Sequence, residues 1–209
     1  MLFNHSVAQQ NVTVKRNKTK QLYGGYVGLG VGYLTDNLSQ HFNYPILLPI
    51  TADFIYNWFV AQISLDGGWA KVKNTMSFDD GGSWNKGQNS FHEGIGINLG
   101  GSVYNSKNIR ITPVAGYSYN YISKKWWGSS DIRKNEPEFG NLRLAFMFDF
   151  KNTFITKKNA MATINDDYAG LRVTAEMYMQ LNKNTDYPEY YNGMVINISV
   201  GIVLLSIIS

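Results

Sequence analysis

The feature that most constrains this chain is a two-residue alternation of apolar with small or polar side chains. Residues 90–104 show it most clearly, because almost every second position is apolar and only Glu93 interrupts the series. Side chains that alternate in this way point to opposite faces of a β-strand. The run is longer than the five or six residues of an ordinary strand. It therefore predicts one long strand with an apolar face.

The same pattern recurs along the chain and predicts six strands in all. The other five segments are residues 22–34, 108–122, 141–150, 168–181 and 194–205. Residues 51–78 are long enough for two more strands, which we expect to be joined at Asp66-Gly67 because this dipeptide favours a type I′ hairpin turn. No segment has a helical period. The sequence thus predicts an all-β chain with eight strands.

The connections between these segments alternate in length. Two connections are tight, at residues 66–67 and 105–108. The connection at residues 151–166 departs from the alternation, because it is long where a short turn is expected. The long ones cover residues 35–50, 79–88, 123–138 and 182–190. Short turns at one end and long loops at the other are typical of an antiparallel up-and-down membrane barrel.

Composition indicates which face of these strands is turned inward. Charged residues make up only 16% of the 209 residues, against roughly 25% in soluble chains. The polar face is rich in Gly, Ser, Asn and Thr, whereas a water-facing surface normally carries many Lys and Glu. Small side chains suit the narrow interior of an eight-stranded barrel. We expect a transmembrane barrel with apolar side chains outside and a polar, filled lumen.

Charged side chains on the polar face are candidates for an interior network. Both signs are present, and buried charges persist only when they are paired and hydrogen-bonded. The predicted lumen charge network consists of Arg110, Arg143, Asp149, Arg172 and Glu176. Aromatic residues collect near the ends of the apolar face, as in interfacial girdles. These are Tyr33, Phe91, Tyr117, Tyr119, Tyr121, Phe148 and Phe150.

Three glycine-rich segments, at residues 26–33, 94–100 and 113–117, read YVGLGVGY, GIGINLG and PVAGY. With these motifs the chain resembles the small eight-stranded outer-membrane barrels of Gram-negative bacteria, the OmpA-transmembrane-domain and OmpX-like group. Its abundance of Asn and Lys looks like that of members from the Bacteroidota. The resemblance covers nearly all of the chain after residue 22. It implies location in the bacterial outer membrane, among its lipids and lipopolysaccharide, but no particular activity.

The chain divides into two parts at the start of the first strand. Residues 22–209 form the predicted barrel, and residues 1–21 are expected to be a signal-peptide remnant followed by a basic tail. Ser6-Val7-Ala8 fits the small-x-small pattern that precedes signal-peptidase cleavage. The formal net charge is only +4, and no basic helix accompanies the tail, so we expect no nucleic-acid partner.

Two loop segments are candidate interaction sites. One combines paired tryptophans with cations, which suits sugars, lipopolysaccharide phosphates or a protein partner, although an interfacial anchor is an equal alternative. Its residues are Lys124, Lys125, Trp126, Trp127, Arg133 and Lys134. The other is the apolar run at residues 45–50 in the first long loop, where Ile46, Leu47 and Leu48 are candidates for contact with a protein partner in a membrane complex.

The residues available for catalysis are few. Cys is absent and there are three His, which argues against thiolate chemistry, a metal site or another cofactor. We therefore expect a non-enzymatic outer-membrane barrel with a structural, adhesive or complex-forming role exerted through its long loops. One alternative is a lipid A-modifying enzyme, a deacylase or acyltransferase, that uses His92 with Ser90 on the same strand face. The other is a soluble, lipocalin-like ligand-binding barrel with the opposite polarity.

Overall fold

The computed structural model describes residues 21–78, 82–124, 138–152, 168–181 and 188–207. Its elements follow one another as β1 (Gln21–Leu34), α1 (Asp36–His41), β2 (Ile46–Tyr56), β3 (Phe59–Lys71), β4 (Met76–Ser77), β5 (Ser83–Trp84), β6 (Asn89–Gly101), β7 (Tyr104–Asn105), β8 (Ile109–Ser123), β9 (Glu138–Asn152), β10 (Tyr168–Gln180), α2 (Pro188–Tyr191) and β11 (Met194–Ile207). Neither helix is long and apolar enough to cross a membrane.

The eight long strands close into a barrel. Each pairs antiparallel with the long strand that precedes or follows it in the chain, and β1 pairs with β11 to complete the ring. The short β7 extends the ladder beside β8, while β4 and β5 form a separate small hairpin. The predicted all-β, eight-stranded, antiparallel up-and-down barrel is confirmed.

The predicted hairpin at Asp66-Gly67 is wrong. Both residues lie inside β3, and the chain reverses nine residues earlier, at the two residues between Tyr56 and Phe59. Asn57, the first of these two, has φ of 56°. Asn tolerates this left-handed conformation better than most residues, so it can begin the tight turn without a glycine.

The turn at Asn57 gives a prediction about stability. We expect Asn57→Ala to lower the free energy of unfolding by about 1 kcal/mol, because alanine lacks the polar side chain that eases the left-handed conformation. Asn57→Gly should be neutral or stabilising. Urea unfolding of the detergent-folded protein measures both variants. Equal stability of the alanine variant and the parent would contradict the expectation.

The earlier turn also corrects the first long loop. Residues 46–50 belong to β2, so Ile46, Leu47 and Leu48 lie in a strand and not in a loop. Ile46 is exposed, Leu47 is buried and Leu48 is half-buried. The β1–β2 pairing is interrupted at Leu48 and Pro49, as expected where proline has no N–H to donate.

Two predicted segments fall outside the described residues. One is the N-terminal tail, since the described part begins with Gln21 in β1. The other is most of the connection at residues 151–166, since β9 ends at Asn152 and β10 begins at Tyr168.

Burial follows the strand alternation around the barrel. The outward positions are dominated by exposed apolar side chains such as Val31, Ile97 and Ile198. Two apolar clusters lie at opposite ends of the interior. The cluster at the short-turn end includes Leu22, Ile55, Val60, Val203 and Leu205. Buried polar and charged residues occupy much of the inward face between the two clusters.

Candidate functional site

An ion cluster centred on Arg172 lies toward the short-turn end. The Arg172 side chain is 2% exposed; its Nη1 is 2.6 Å from Asp53 Oδ2, and its Nε is 2.6 Å from Asp149 Oδ1. Asp149 also accepts a hydrogen bond from the Tyr168 hydroxyl. Asp53 accepts a further bond, at 2.8 Å, from Gln62 Nε2. One guanidinium thus joins three strands, β2, β9 and β10.

A second ion cluster, centred on Arg143, lies nearer the loop end. Arg143 Nη2 donates to Glu176 Oε1 at 2.6 Å, and Nη1 is 3.1 Å from Asp66 Oδ2. Nη1 also donates to the Ser64 hydroxyl, and the guanidinium lies 5.0 Å from the centre of the Tyr178 ring. The Tyr178 hydroxyl in turn donates to Glu176 Oε2 at 2.7 Å. Arg143 therefore connects β9 with β3 and β10 across the interior.

The structure brings four of the five predicted charged residues into these two clusters. Arg172 pairs with Asp149 and Arg143 pairs with Glu176, as direct ion pairs. Arg110 is also buried; it lies opposite Asp149 in the β8–β9 ladder, and its Nε donates to Ser102 Oγ at 2.7 Å.

Sequence reasoning missed two carboxylates of these clusters, Asp53 and Asp66. The misplaced turn explains the omission, because a turn at Asp66-Gly67 puts Asp66 at a hairpin tip and leaves the strand of Asp53 without a predicted register. With the turn at Asn57, Asp53 falls in the buried alternation of β2 and Asp66 among the inward positions of β3. The alternation continuing through residues 46–56 was the signal that could have found them.

The described parts of the long loops pack together over one end of the barrel and form what we call the loop-end cap. Phe42 after α1, Trp84 in β5 and Tyr191 in α2 are almost completely buried in it. The Phe42 and Tyr191 rings stack with centroids 6.2 Å apart, and the Phe42 ring meets Trp84 edge-on at 6.0 Å. Side chains from loops far apart in sequence therefore hold the cap together.

Only one residue of the predicted basic and aromatic loop is described, namely Lys124. Its Nζ donates to the Ser83 carbonyl oxygen at 3.0 Å and lies 5.6 Å from the centre of the Trp84 ring. Lys124 is thereby attached to the cap. Outside the described residues lie Lys125, Trp126, Trp127, Arg133 and Lys134.

The geometry does not form the Ser-His pair of the enzyme alternative. Ser90 Oγ donates to the Ala70 carbonyl oxygen at 3.2 Å. His92 faces Phe42, with ring centroids 5.9 Å apart, and its Nε2 has no hydrogen-bond partner in the described part of the chain. Within residues 21–78, 82–124, 138–152, 168–181 and 188–207, no group of three or more His, Asp or Glu side chains fits a metal ion.

The outer surface has the distribution expected of a wall in contact with lipid. A broad belt of exposed aliphatic side chains surrounds the barrel, with Tyr33, Tyr117, Tyr119 and Phe150 among the exposed aromatic residues. Tyr33 stacks with Tyr44, with centroids 5.7 Å apart, beside the loop end. Membrane barrels combine such a belt with interfacial aromatic residues. The chain is therefore an eight-stranded antiparallel barrel of the outer-membrane type.

Solved structures of small outer-membrane proteins have a similar fold. The attachment invasion locus protein Ail of Yersinia pestis, solved with the heparin analogue sucrose octasulfate, is 7% identical, with a TM-score of 0.47 over 90% of this chain and 99% of that chain. Neisserial surface protein A is 13% identical, with a TM-score of 0.49 over 88% and 96%. OprG of Pseudomonas aeruginosa is 10% identical, with a TM-score of 0.46 over 90% and 95%. No protein-family model matches the chain. No curated protein matches it.

Proposed function

We propose that this chain is a non-enzymatic protein of the bacterial outer membrane whose loop end binds phosphate-bearing or otherwise anionic sugars, in the first place those of lipopolysaccharide. The observation that carries the proposal is the loop-end cap. In it Phe42, Trp84 and Tyr191 interlock three loop segments, and Lys124 is attached to their edge.

A cap of this kind favours binding over transport or catalysis. Loops whose aromatic side chains are already packed lose less conformational entropy on binding than free loops do, so their contacts yield more affinity. The apolar cap and the two ion clusters fill much of the interior, and eight-stranded barrels enclose no aqueous channel. The Ser90 hydroxyl donates its hydrogen bond to the Ala70 carbonyl oxygen and not to His92, which leaves the lipid A-modifying alternative without its catalytic pair.

The exposed apolar wall supports location in the outer membrane and opposes the soluble, lipocalin-like alternative. Ile97, Ile198 and Ile202 are each more than half exposed on the outside, whereas Arg143 and Glu176 are buried. A soluble ligand-binding barrel needs the reverse arrangement. Ile46 is exposed near the loop end of β2. Of the three residues in the predicted partner contact, it is therefore the one that a protein partner in the membrane would contact.

Binding to lipopolysaccharide tests the proposed function. In bilayer nanodiscs, the protein should bind purified lipopolysaccharide more tightly than its enzymatically dephosphorylated form. Replacing Lys124, Lys125, Arg133 and Lys134 together by Gln should weaken binding by at least about tenfold, because each cation near an anionic headgroup surface contributes about 1 kcal/mol. Titration calorimetry or light scattering measures the change.

The matched control carries a neutralised lysine at the other end of the barrel. Lys107 is exposed beside the short turn that precedes β8, and Lys107→Gln should leave lipopolysaccharide binding unchanged. The proposed function fails if the loop variant binds as well as the parent, or if the control loses as much affinity as the loop variant does.

A further inference from the structure

We propose that a pocket on the side of the loop end binds one phosphorylated sugar unit of a lipopolysaccharide molecule beside the barrel. This rim pocket lies between the end of β1, the connection from α1 to β2 and the residues after β3. Among the residues that line it are Tyr33, Ser39, Phe42, Asn43, Tyr44 and Lys73. The choice of ligand rests on the proposed function, whereas the residues are separate from the predicted basic and aromatic loop.

The rim pocket has the size of one sugar unit. Its volume is about 240 Å³. At roughly 15 Å³ for each water, it has room for about 16 waters, a number similar to the non-hydrogen atoms of a hexose phosphate. An oligosaccharide exceeds this volume, so the pocket takes a single unit of a longer chain.

The height of the rim pocket matches that of lipid headgroups. Tyr33 ends the outward series of β1 after Val27, Leu29 and Val31, which are all more than half exposed. These three aliphatic residues belong to the wall that faces lipid, and aromatic residues at the border of such a wall lie at headgroup level. The phosphorylated sugars of a neighbouring lipopolysaccharide molecule are at the same level.

Two tyrosines give the rim pocket a surface suited to a sugar ring. Tyr33 and Tyr44 stack with centroids 5.7 Å apart. Both are more than half exposed, so the stacked pair presents ring area to the outside. Aromatic rings supply rigid apolar contact area, against which the C–H groups of a sugar can pack. The exposed Asn43 side chain adds an amide, which can both donate to and accept from sugar hydroxyls.

Lys73 supplies the positive charge for a phosphate. Its Nζ donates to the Ser39 carbonyl oxygen at 3.2 Å, and an ammonium group has two further N–H bonds to donate. Among the described residues, no carboxylate pairs with Lys73. Hydrogen bonds between an ammonium group and a phosphate are charge-assisted and therefore strong.

The residues around Lys73 reinforce its charge. The described residues 67–78 and 82–92 contain three exposed lysines, Lys71, Lys73 and Lys86, and no Asp or Glu. Backbone hydrogen bonds join these two segments side by side. Such a patch attracts an anionic ligand to this side of the loop end.

Carboxylates near the rim pocket do not occupy the ammonium group. Asp36 lies in α1, as Ser39 does, but it is not a lining residue of the pocket. Its Oδ2 accepts a hydrogen bond from Thr35 Oγ1 at 2.8 Å. Two further carboxylates, those of Asp79 and Asp80, lie outside the described residues.

The backbone around the rim pocket is held in place before any ligand binds. The Asn43 N–H donates to the Lys71 carbonyl oxygen at 2.9 Å, and the Lys73 N–H donates to the His41 carbonyl oxygen at 2.7 Å. Phe42 forms a β-bridge with the segment that follows β3, and its ring is buried in the loop-end cap. A preformed pocket loses less conformational entropy on binding.

Two single variants test the phosphate contact and the sugar contact separately. The protein is placed in phosphatidylcholine nanodiscs and titrated calorimetrically with lipopolysaccharide or with its dephosphorylated form. Lys73→Gln should weaken binding of lipopolysaccharide about fivefold and leave binding of the dephosphorylated form unchanged. Tyr44→Ala should weaken binding of both forms about fivefold, because the ring contact does not depend on phosphate.

The matched controls replace the same residue types elsewhere. Lys86→Gln, on the segment beside the rim pocket, and Tyr104→Ala, at an exposed tyrosine of the short-turn end, should each stay within about twofold of the parent. Tyr44→Phe keeps the ring and should bind nearly as the parent does. If Lys86→Gln loses as much affinity as Lys73→Gln, a diffuse positive surface accounts for binding and the proposal is overturned.

The variant of the basic loop separates this proposal from the proposed function. If the loop variant loses affinity while Lys73→Gln and Tyr44→Ala bind as the parent does, the rim pocket is overturned and the proposed function stands. If the two pocket variants lose affinity while the loop variant does not, the rim pocket stands and the basic loop is not the binding site.

A soluble sugar phosphate distinguishes the two sources of the ligand. Glucosamine 1-phosphate should shift the amide NMR signals of Asn43 and Tyr44, and glucosamine at the same concentration should shift them less. An affinity for lipopolysaccharide at least about tenfold higher than for the soluble compound supports a lipid headgroup as the ligand. Equal affinities overturn the assignment to lipopolysaccharide, and the absence of any shift with glucosamine 1-phosphate overturns the pocket.

Discussion

Arg172→Met is expected to lower the free energy of unfolding by about 3–5 kcal/mol, because removing one partner of a buried ion pair leaves the other charge uncompensated. Here two carboxylates lose their partner, since Arg172 lies within 2.6 Å of both Asp53 and Asp149. Urea unfolding of the detergent-folded protein, followed by the shift in gel mobility between folded and unfolded forms, measures the loss.

Neutralising the stranded carboxylates separates this charge effect from lost packing. Adding Asp53→Asn and Asp149→Asn to Arg172→Met should restore most of the lost stability, because apolar or neutral replacements of a whole buried ion cluster are often close to neutral. Lys107→Met, at an exposed lysine near the short turn, should stay within about 0.5 kcal/mol of the parent. If the triple variant is no more stable than the single one, the loss comes from packing and the electrostatic account is wrong.

The parts of the fold that the sequence predicted are those that a single strand determines. In β6 the alternation of Ile95, Ile97 and Leu99 with small residues assigned both the strand and its outward face correctly. Such a pattern is a local property, because neighbouring side chains of any strand point to opposite faces. The eight-stranded barrel followed from counting segments of this kind.

The errors arose where a local signal competed with a longer one. Asp66-Gly67 is a strong turn dipeptide, yet pairing along the whole of β2 and β3 outweighs it, and Asn57 supplies the positive φ that the actual turn needs. With the turn at Asn57 and not at Asp66-Gly67, Asp53 and Asp66 both occupy inward positions of their strands. One misplaced turn therefore concealed two carboxylates of the interior clusters.

The loop-end cap lay beyond sequence reasoning for a different reason. Phe42, Trp84 and Tyr191 belong to loops separated by 40 residues or more, and their packing follows from the closure of the barrel, which brings the loop ends together. Glu93 is similar: it broke the apolar series of its strand, but the Tyr121 hydroxyl on β8 provides its hydrogen bond. Contacts of this kind depend on strand register, which no single segment reveals.

An arginine on the outer wall distinguishes a membrane barrel from a soluble one. Val200 is 52% exposed near the middle of β11, where a membrane barrel faces hydrocarbon. We expect Val200→Arg to lower the free energy of unfolding in lipid vesicles by about 2–4 kcal/mol, the cost of a cation at the bilayer midplane. Urea titration of the vesicle-inserted protein, followed by tryptophan fluorescence, measures it.

The control uses an apolar residue that is more exposed but lies outside the barrel wall. Val103 is 72% exposed in the short connection between β6 and β7. Because this residue meets water or headgroups, Val103→Arg should change stability by no more than about 1 kcal/mol, the value near the membrane interface. On a soluble barrel both positions would face water, and both variants would be nearly neutral. Equal and small effects at Val200 and Val103 would thus contradict the assignment of the apolar wall to lipid, whereas a large loss at Val200 alone supports it.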